Sequence, residues 1–87
     1  IDEKFKAFGW HVIQVSAHDF NALLAAIEEA KATKGQPTAI IMKSVKGKNV
    51  SYMENNAAWH GAAPKKEEYE QAIKELDAII AELEAKL

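Results

Sequence analysis

Residues 38–45 constrain the fold of this chain more than any other stretch of its sequence. In an extended conformation, Ala39 and Ile41 point to one face while Ile40 and Met42 point to the other, so both faces are apolar. Strands with two apolar faces are typical of parallel sheets that helices cover on both sides. The pattern therefore predicts a buried strand of an α/β fold.

The residues before this strand predict a helix end, a first strand and a further helix. Residues 2–7 have the pattern of the last turns of a helix that Gly9 ends, and residues 11–15 form a short β-branched run. Asp19 is placed to cap the next helix. That helix ends near Gly35, because Pro37 cannot continue it.

The residues after the strand predict a long loop and a C-terminal helix. Residues 46–64 have no sustained hydrophobic period, and loops of this length are usually functional or disordered. Beyond Pro64, apolar residues recur at helical spacing. The apolar stripe of this helix consists of Tyr69, Ala72, Ile73, Leu76, Ile79, Ile80 and Leu83.

The order strand, helix, strand within residues 11–45 predicts a right-handed crossover between parallel strands. Two strands alone do not form a stable two-sided sheet, so the remaining strands must come from other sequence, from a partner chain or from self-association. The chain also starts on Ile1, within a helical pattern. We therefore interpret residues 1–87 as a single incomplete domain, a fragment of a larger protein.

Composition excludes several classes of function. The 87 residues include no cysteine, which excludes disulfides and thiolate metal sites and fits a reducing cytoplasm. The formal net charge of −2 provides no general attraction to nucleic acid or to anionic membranes. No apolar run approaches the roughly 20 residues that a membrane-spanning helix needs. We expect a cytoplasmic protein that binds neither nucleic acid nor membrane.

The loop that starts at Lys46 follows the carboxyl end of a predicted strand, which is where ligands of open α/β sheets bind. Lys43, Lys46 and Lys48 lie within six residues, and Gly47 leaves space for a phosphate to reach backbone amides. Lysines also simply solvate the ends of strands. This second interpretation is favoured when the cluster is considered alone.

The tripeptide Trp59-His60-Gly61 is the other candidate site in this loop. A histidine can donate a hydrogen bond to a phosphate or transfer a proton near neutral pH, and the adjacent glycine leaves room for a ligand. The alternative, that Trp59 anchors the loop and His60 is an ordinary surface residue, is equally compatible with the sequence. His11 and His18 are weaker candidates, and the spacing of the three histidines predicts no metal site.

Five motifs occur in a characteristic order: FGWHV at residues 8–12, HD at 18–19, PTAIIMKSVKGK at 37–48, VSYMEN at 50–55, and WHG at 59–61 followed by Pro64. Together they resemble transketolase, and most closely the N-terminal subunit of the split bacterial and archaeal type. The resemblance extends over nearly the whole chain. The separation of 14 residues between Lys46 and His60 is a fairly specific part of it.

The resemblance implies that the chain is the C-terminal part of a three-layer α/β domain that binds thiamine diphosphate. It implies that Lys46 and His60 contact this cofactor, and that His60 also lies at the sugar substrate as a catalytic residue. The parent enzyme would use thiamine diphosphate and Mg²⁺ to transfer a two-carbon ketol unit between sugar phosphates, as in the pentose phosphate pathway. The partners of the chain would be the C-terminal subunit and the upstream part of the N-terminal subunit.

The chain departs from the family pattern at two places and lacks one of its motifs. Ser16-Ala17 replaces the usual Asp-Gly, and Asn49 replaces a glycine, although asparagine tolerates a left-handed conformation. The magnesium motif, Gly-Asp-Gly followed by an asparagine, has no counterpart in the sequence. We therefore expect the isolated chain to bind the cofactor weakly or not at all and to be inactive. The alternative is a non-catalytic module whose apolar faces drive homo-oligomerisation, and a nucleic-acid binder is the least favoured hypothesis.

Overall fold

A computed structural model describes residues 1–87 of the protein. Its elements, in chain order, are helix α1 (Asp2–Ala7), strand β1 (His11–Ser16), helix α2 (Phe20–Ala32), strand β2 (Thr38–Lys43), a 3₁₀ turn (Ala57–His60) and helix α3 (Lys66–Ala85). The chain divides into two compact units, residues 1–44 and residues 45–87. The helices and the sheet confirm the α/β class predicted from the sequence.

The first unit consists of α1, β1, α2 and β2. The two strands are parallel, with His11 opposite Thr38 and Ser16 opposite Lys43, and helix α2 connects them along the chain. This confirms the predicted order of strand, helix and parallel strand. Strand β2 ends at Lys43, two residues earlier than the sequence pattern predicts.

Local signals determine where the elements of the first unit begin and end. Gly9 has a φ of +87°, in the left-handed region that glycine reaches without a steric penalty, and it ends α1. The side chain of Asp19 accepts a hydrogen bond from the amide of Ala22, at 3.0 Å, and caps α2. The ring of Phe5 in α1 meets the ring of Trp10 edge-on, at 5.2 Å, just before β1.

Burial in the first unit is limited. Ala26 of α2 is the one buried apolar side chain of this unit, at 3% exposure, whereas Ile40 and Ile41 of β2 are only half-buried. Large apolar side chains such as Phe20 and Met42 are exposed. The two-stranded sheet therefore leaves uncovered much of the apolar surface that its strands carry.

The second unit consists of a turn, the 3₁₀ turn and α3. Residues 46–64, predicted as a loop without regular structure, contain hydrogen-bonded turns over residues 46–55 and then the 3₁₀ turn. Helix α3 is 20 residues long and has no buried residue. Its predicted stripe is largely exposed, including Tyr69 at 56%, Ile80 at 50% and Leu83 at 57%. None of the helices is long and apolar enough to span a membrane.

Candidate functional site

Lys46 begins a closed turn three residues after the end of β2. Its carbonyl oxygen accepts a hydrogen bond from the amide of Asn55, at 2.8 Å, which joins the two ends of the turn. Inside, the amide of Val50 donates to the carbonyl of Gly47, and the amide of Met53 donates to the carbonyl of Val50. Val50 is the one buried apolar side chain of the second unit, at 8% exposure. We call residues 46–56 the Lys46 turn.

Gly47 is required by the packing of the Lys46 turn. Its φ is +68°, and a Cβ atom at this position would lie 2.6 Å from the carbonyl oxygen of Met53. No side chain fits there, because real Cβ contacts are not this short. The sequence explains this glycine by the space that a phosphate needs to reach backbone amides. The structure adds a second reason, the close approach of the Met53 backbone.

Asn49 stands where the family usually has a glycine. It adopts a left-handed conformation, with a φ of +78°. Its amide donates to the carboxylate of Glu54, at 2.9 Å, so the single acid of the turn is engaged in the turn itself. Ala17, the other departure from the family pattern, does not need a left-handed backbone, because it is not among the residues with positive φ. Both departures are therefore compatible with the backbone.

Ser51 attaches the Lys46 turn to helix α3. Its amide and its hydroxyl both donate to the carboxylate of Glu75, at 2.7 and 2.8 Å. The side-chain amide of Gln71, one turn earlier in the helix, donates to the same carboxylate at 2.8 Å. The hydrogen bond from the Ser51 amide, together with those from the side chains of Gln71 and Ser51, lowers the pKa of Glu75 below its usual range.

Tyr52 makes a second attachment. Its hydroxyl donates to the backbone carbonyl of Glu68 in α3, at 2.5 Å. Its ring packs against Trp59 with centroids 5.2 Å apart, a tilted aromatic contact. Burial, together with the negative charges of Glu68 and Glu75, raises the pKa of Tyr52. Trp59 thus anchors the chain immediately before His60, as one of the two sequence interpretations proposed.

The side chains of Lys46 and His60 are both exposed, and neither makes a hydrogen bond or an ion pair within the chain. Both residues belong to the second unit, Lys46 at the start of its turn and His60 at the end of the 3₁₀ turn. The structure therefore presents a cationic ammonium and an imidazole to solvent from a backbone that hydrogen bonds and ring packing hold in place. Such groups bind anions.

The two weaker histidine candidates lie in the first unit and have local partners there. The Nε2 atom of His11 lies 2.6 Å from a carboxylate oxygen of Glu29, which ties β1 to α2. The backbone amide of His18 donates to the hydroxyl of Ser16, within the turn that precedes α2. These contacts give both histidines a role in the local structure.

Three residues that hold the Lys46 turn in place were not predicted from the sequence as part of the site. They are Ser51, Tyr52 and Glu75. Ser51 and Glu75 are 24 positions apart, and no local pattern links residues at that distance. The one available signal was the VSYMEN motif, which contains Ser51 and Tyr52 but says nothing of their partners.

Comparison with known proteins identifies the family. The model of the transketolase thiamine diphosphate binding domain matches residues 1–79. The chain belongs to the transketolase family. This confirms the resemblance inferred from the motifs.

Several transketolases are similar to this chain. It is 34% identical over 77 residues to a 6-deoxy-6-sulfo-D-fructose transketolase subunit of Clostridium sp. strain MSTE9, covering 88% of the chain and 28% of that protein. It is 34% identical over 82 residues to an apulose-4-phosphate transketolase subunit of Phocaeicola vulgatus, covering 94% and 29%. It is 42% identical over 74 residues to the transketolase of Mus musculus, covering 85% and 11%. The chain thus spans less than a third of each of these transketolases.

The side chains of Lys46 and His60 have the chemistry to bind the anionic end of the cofactor for which the transketolase domain is named. A diphosphate is bound by cations and N–H donors, and Lys46 and His60 offer both. The one carboxylate of the turn, Glu54, is already engaged by Asn49. The chain contains no group of three or more His, Cys, Asp or Glu side chains arranged to hold a metal ion.

Proposed function

We propose that this chain is the C-terminal part of the thiamine diphosphate binding domain of a transketolase and that it contributes the Lys46 turn and His60 to the cofactor site. The observation that carries this proposal is the exposure of the Lys46 and His60 side chains. Both are exposed and without an internal partner, yet they extend from a backbone that Glu75, Tyr52 and Trp59 hold in place. A family model named for the cofactor also matches this stretch.

Within the complete enzyme, each residue has a defined role in the proposed reaction, which transfers a two-carbon ketol unit between sugar phosphates. Thiamine diphosphate supplies the carbanion chemistry that makes and breaks the carbon–carbon bond. The ammonium of Lys46 offsets negative charge on the diphosphate. The imidazole of His60 donates a hydrogen bond at the diphosphate and orients the phosphorylated sugar as a catalytic residue.

The remaining groups of the site come from partners of the chain. We propose that the upstream part of the N-terminal subunit provides the Mg²⁺ ligands and that the C-terminal subunit completes the enzyme, which acts in the cytoplasm within the pentose phosphate pathway. Residues 1–87 would then be one incomplete domain. The isolated chain is proposed to bind the cofactor weakly or not at all and to be inactive, because two basic side chains do not replace a divalent ion beside a diphosphate.

Two measurements test this function. Calorimetric titration of the chain with Mg²⁺ and thiamine diphosphate should give no measurable heat of binding at micromolar concentrations, and tight binding would contradict the assignment of the Mg²⁺ ligands to another segment.

In the complete enzyme, Lys46→Ala and His60→Ala should each reduce kcat/KM by about 100-fold or more, while Lys74→Ala, an exposed lysine on α3, should leave it unchanged. Unchanged turnover in His60→Ala would refute its role.

A second candidate function, self-association, is favoured by the surface of α3. Tyr69, Ile73, Leu76, Ile80 and Leu83 follow one another at alternating spacings of four and three residues, which is the pattern of a coiled-coil seam. Isoleucine at one position of that repeat and leucine at the other favour two-stranded pairing. We propose that a second copy of this chain covers the stripe when the rest of the enzyme is absent.

Light scattering tests the self-association of the chain. The protein should show a mass that rises with concentration, and Ile80→Lys, which places a charge in the stripe, should remain monomeric. Ala78→Lys adds the same charge to another exposed part of α3 and should behave like the unmodified chain. A strict monomer at millimolar concentration would count against this function.

A further inference from the structure

The Lys46 turn is attached to helix α3 through side chains whose partners no sequence motif indicated. Ser51 presents two donors to Glu75, and Tyr52 presents one to the backbone of Glu68. The two residues are adjacent in the chain, so they fix the middle of the turn. The ends of the turn are fixed separately, by the hydrogen bond between Lys46 and Asn55.

Glu75 is the one charged side chain among these attachments. Its carboxylate accepts three hydrogen bonds, two from Ser51 and one from Gln71. Hydrogen bonds to a charged acceptor are roughly twice as strong as those between neutral groups. Because Gln71 lies one turn earlier on the same helix, it holds the carboxylate in the orientation that Ser51 requires.

The position of Ser51 is transmitted to Lys46 through a turn that has little freedom to deform. Gly47 packs directly against the backbone of Met53, and Val50 between them is buried. A shift of Ser51 away from α3 would therefore displace Gly47 and the backbone of Lys46, instead of being absorbed by a flexible linker. The side chain of Lys46 has no hydrogen bond or ion pair of its own to hold it.

We propose that Glu75 is a positioning residue for the Lys46 turn: by accepting both donors of Ser51, it sets the place from which Lys46 reaches the diphosphate of the cofactor. This inference rests on the proposed function of Lys46. Glu75 itself touches neither cofactor nor substrate in this proposal. It acts through Ser51, and its effect should be seen in cofactor affinity and in the order of the turn.

Amide hydrogen exchange in the chain tests the structural part of the proposal. Glu75→Ala should accelerate exchange of the Ser51 and Asn55 amides by about tenfold or more, while amides in the middle of α3 keep their protection. Glu75→Gln retains one acceptor oxygen and should give an intermediate effect, and Ser51→Ala should resemble it. Glu82→Ala, an exposed glutamate seven residues further along α3, is the matched control and should change nothing.

Cofactor affinity in the complete enzyme tests the functional part. Glu75→Ala should raise the Kd for thiamine diphosphate by about tenfold and leave kcat at saturating cofactor within about twofold, because a displaced Lys46 weakens binding without altering the reacting atoms. Glu75→Gln should recover part of the affinity, and Glu82→Ala should keep all of it. A loss of kcat without a change in Kd would contradict a positioning role.

Two failures can be told apart. If Lys46→Ala leaves cofactor affinity unchanged, the proposed function is wrong and the cofactor role of Glu75 is wrong with it, whatever the exchange data show. If Lys46→Ala weakens binding but Glu75→Ala does not, the proposed function stands and the positioning role is overturned. Unchanged exchange at Ser51 in Glu75→Ala would also overturn it.

Discussion

At the scale of single residues, both the backbone conformation and the close packing at Gly47 exclude a side chain. A side chain there would combine a left-handed backbone with a 2.6 Å contact to the Met53 carbonyl oxygen. We predict that Gly47→Ala lowers the free energy of unfolding of residues 45–87 by about 2 kcal/mol, because L-residues are strained in this region and the turn must open. Chemical denaturation followed by tryptophan fluorescence measures the effect.

Gly61 provides the control for this substitution. Its φ of −127° is accessible to any residue, and an added Cβ would meet no atom within 4 Å. Gly61→Ala should therefore change the unfolding free energy by no more than a few tenths of a kcal/mol. Equal losses in the two variants would show that the close contact at Gly47 is unimportant.

The carboxylate of Glu75 predicts a pH dependence at the same scale. Its pKa is lowered in the folded chain by the hydrogen bonds from Ser51 and Gln71, so its stabilising effect is fully present above the unfolded pKa and is lost as pH falls through the lower folded value. The charge of Glu75 also acts on Tyr52, whose pKa is raised by burial and by the charges of Glu68 and Glu75. We predict that the Lys46 turn loosens as pH falls below the ordinary pKa of a glutamate, about 4.3.

The NMR chemical shift of the Ser51 amide should report this titration. In the unmodified chain it should change with an apparent pKa below that of a free glutamate, and in Glu75→Gln that transition should be absent. Because the two proteins differ only at position 75, the difference between the two curves isolates Glu75. Identical curves would contradict the assignment.

At the scale of elements, helix α2 depends on the cap that Asp19 provides. The Asp19 carboxylate satisfies the amide of Ala22, which has no partner inside the helix. We predict that Asp19→Ala lowers the unfolding free energy by about 1 kcal/mol and reduces helicity measured by circular dichroism. Asn21→Ala, in the exposed first turn of the same helix, should be neutral or slightly stabilising.

The elements of the first unit could be predicted from the sequence because their signals are local. A β-branched run predicted β1, a run that is apolar on both faces predicted β2, and helical spacing predicted α2. Gly9 and Asp19 marked the end of α1 and the start of α2, whereas α2 ends at Ala32, three residues before the predicted end at Gly35. The candidate site could be predicted only in part. Lys46 and His60 were identified by motif and remain predictions as cofactor contacts. The hydrogen bonds between Ser51 and Glu75 join residues that no short-range pattern relates.

At the scale of the whole molecule, each compact unit has a single buried apolar side chain, Ala26 in the first and Val50 in the second. Most of the large apolar side chains of α3 face solvent instead. Burial on this scale contributes little to stability, since hydrophobic stabilisation is proportional to the apolar area removed from water. Stability of the isolated chain should therefore depend on what covers these surfaces.

A concentration-dependent melting temperature is the prediction at this scale. If a second copy covers the α3 stripe, association stabilises the folded form by mass action, and Tm should rise by several degrees between about 10 μM and about 1 mM. In Ile80→Lys the Tm should be independent of concentration, and in Ala78→Lys it should rise as in the unmodified chain. Differential scanning calorimetry at several concentrations gives the answer.

By itself, the sequence determined the order and type of the α-helices and strands and the parallel arrangement of β1 and β2, because these follow from hydrophobic periodicity and from the order of the elements. Only the tertiary structure decided how residues 46–56 are held: Gly47 against Met53, Ser51 on Glu75, and Tyr52 between Glu68 and Trp59. These contacts depend on the three-dimensional path of the chain, in which residues distant in sequence supply each other's hydrogen-bond partners.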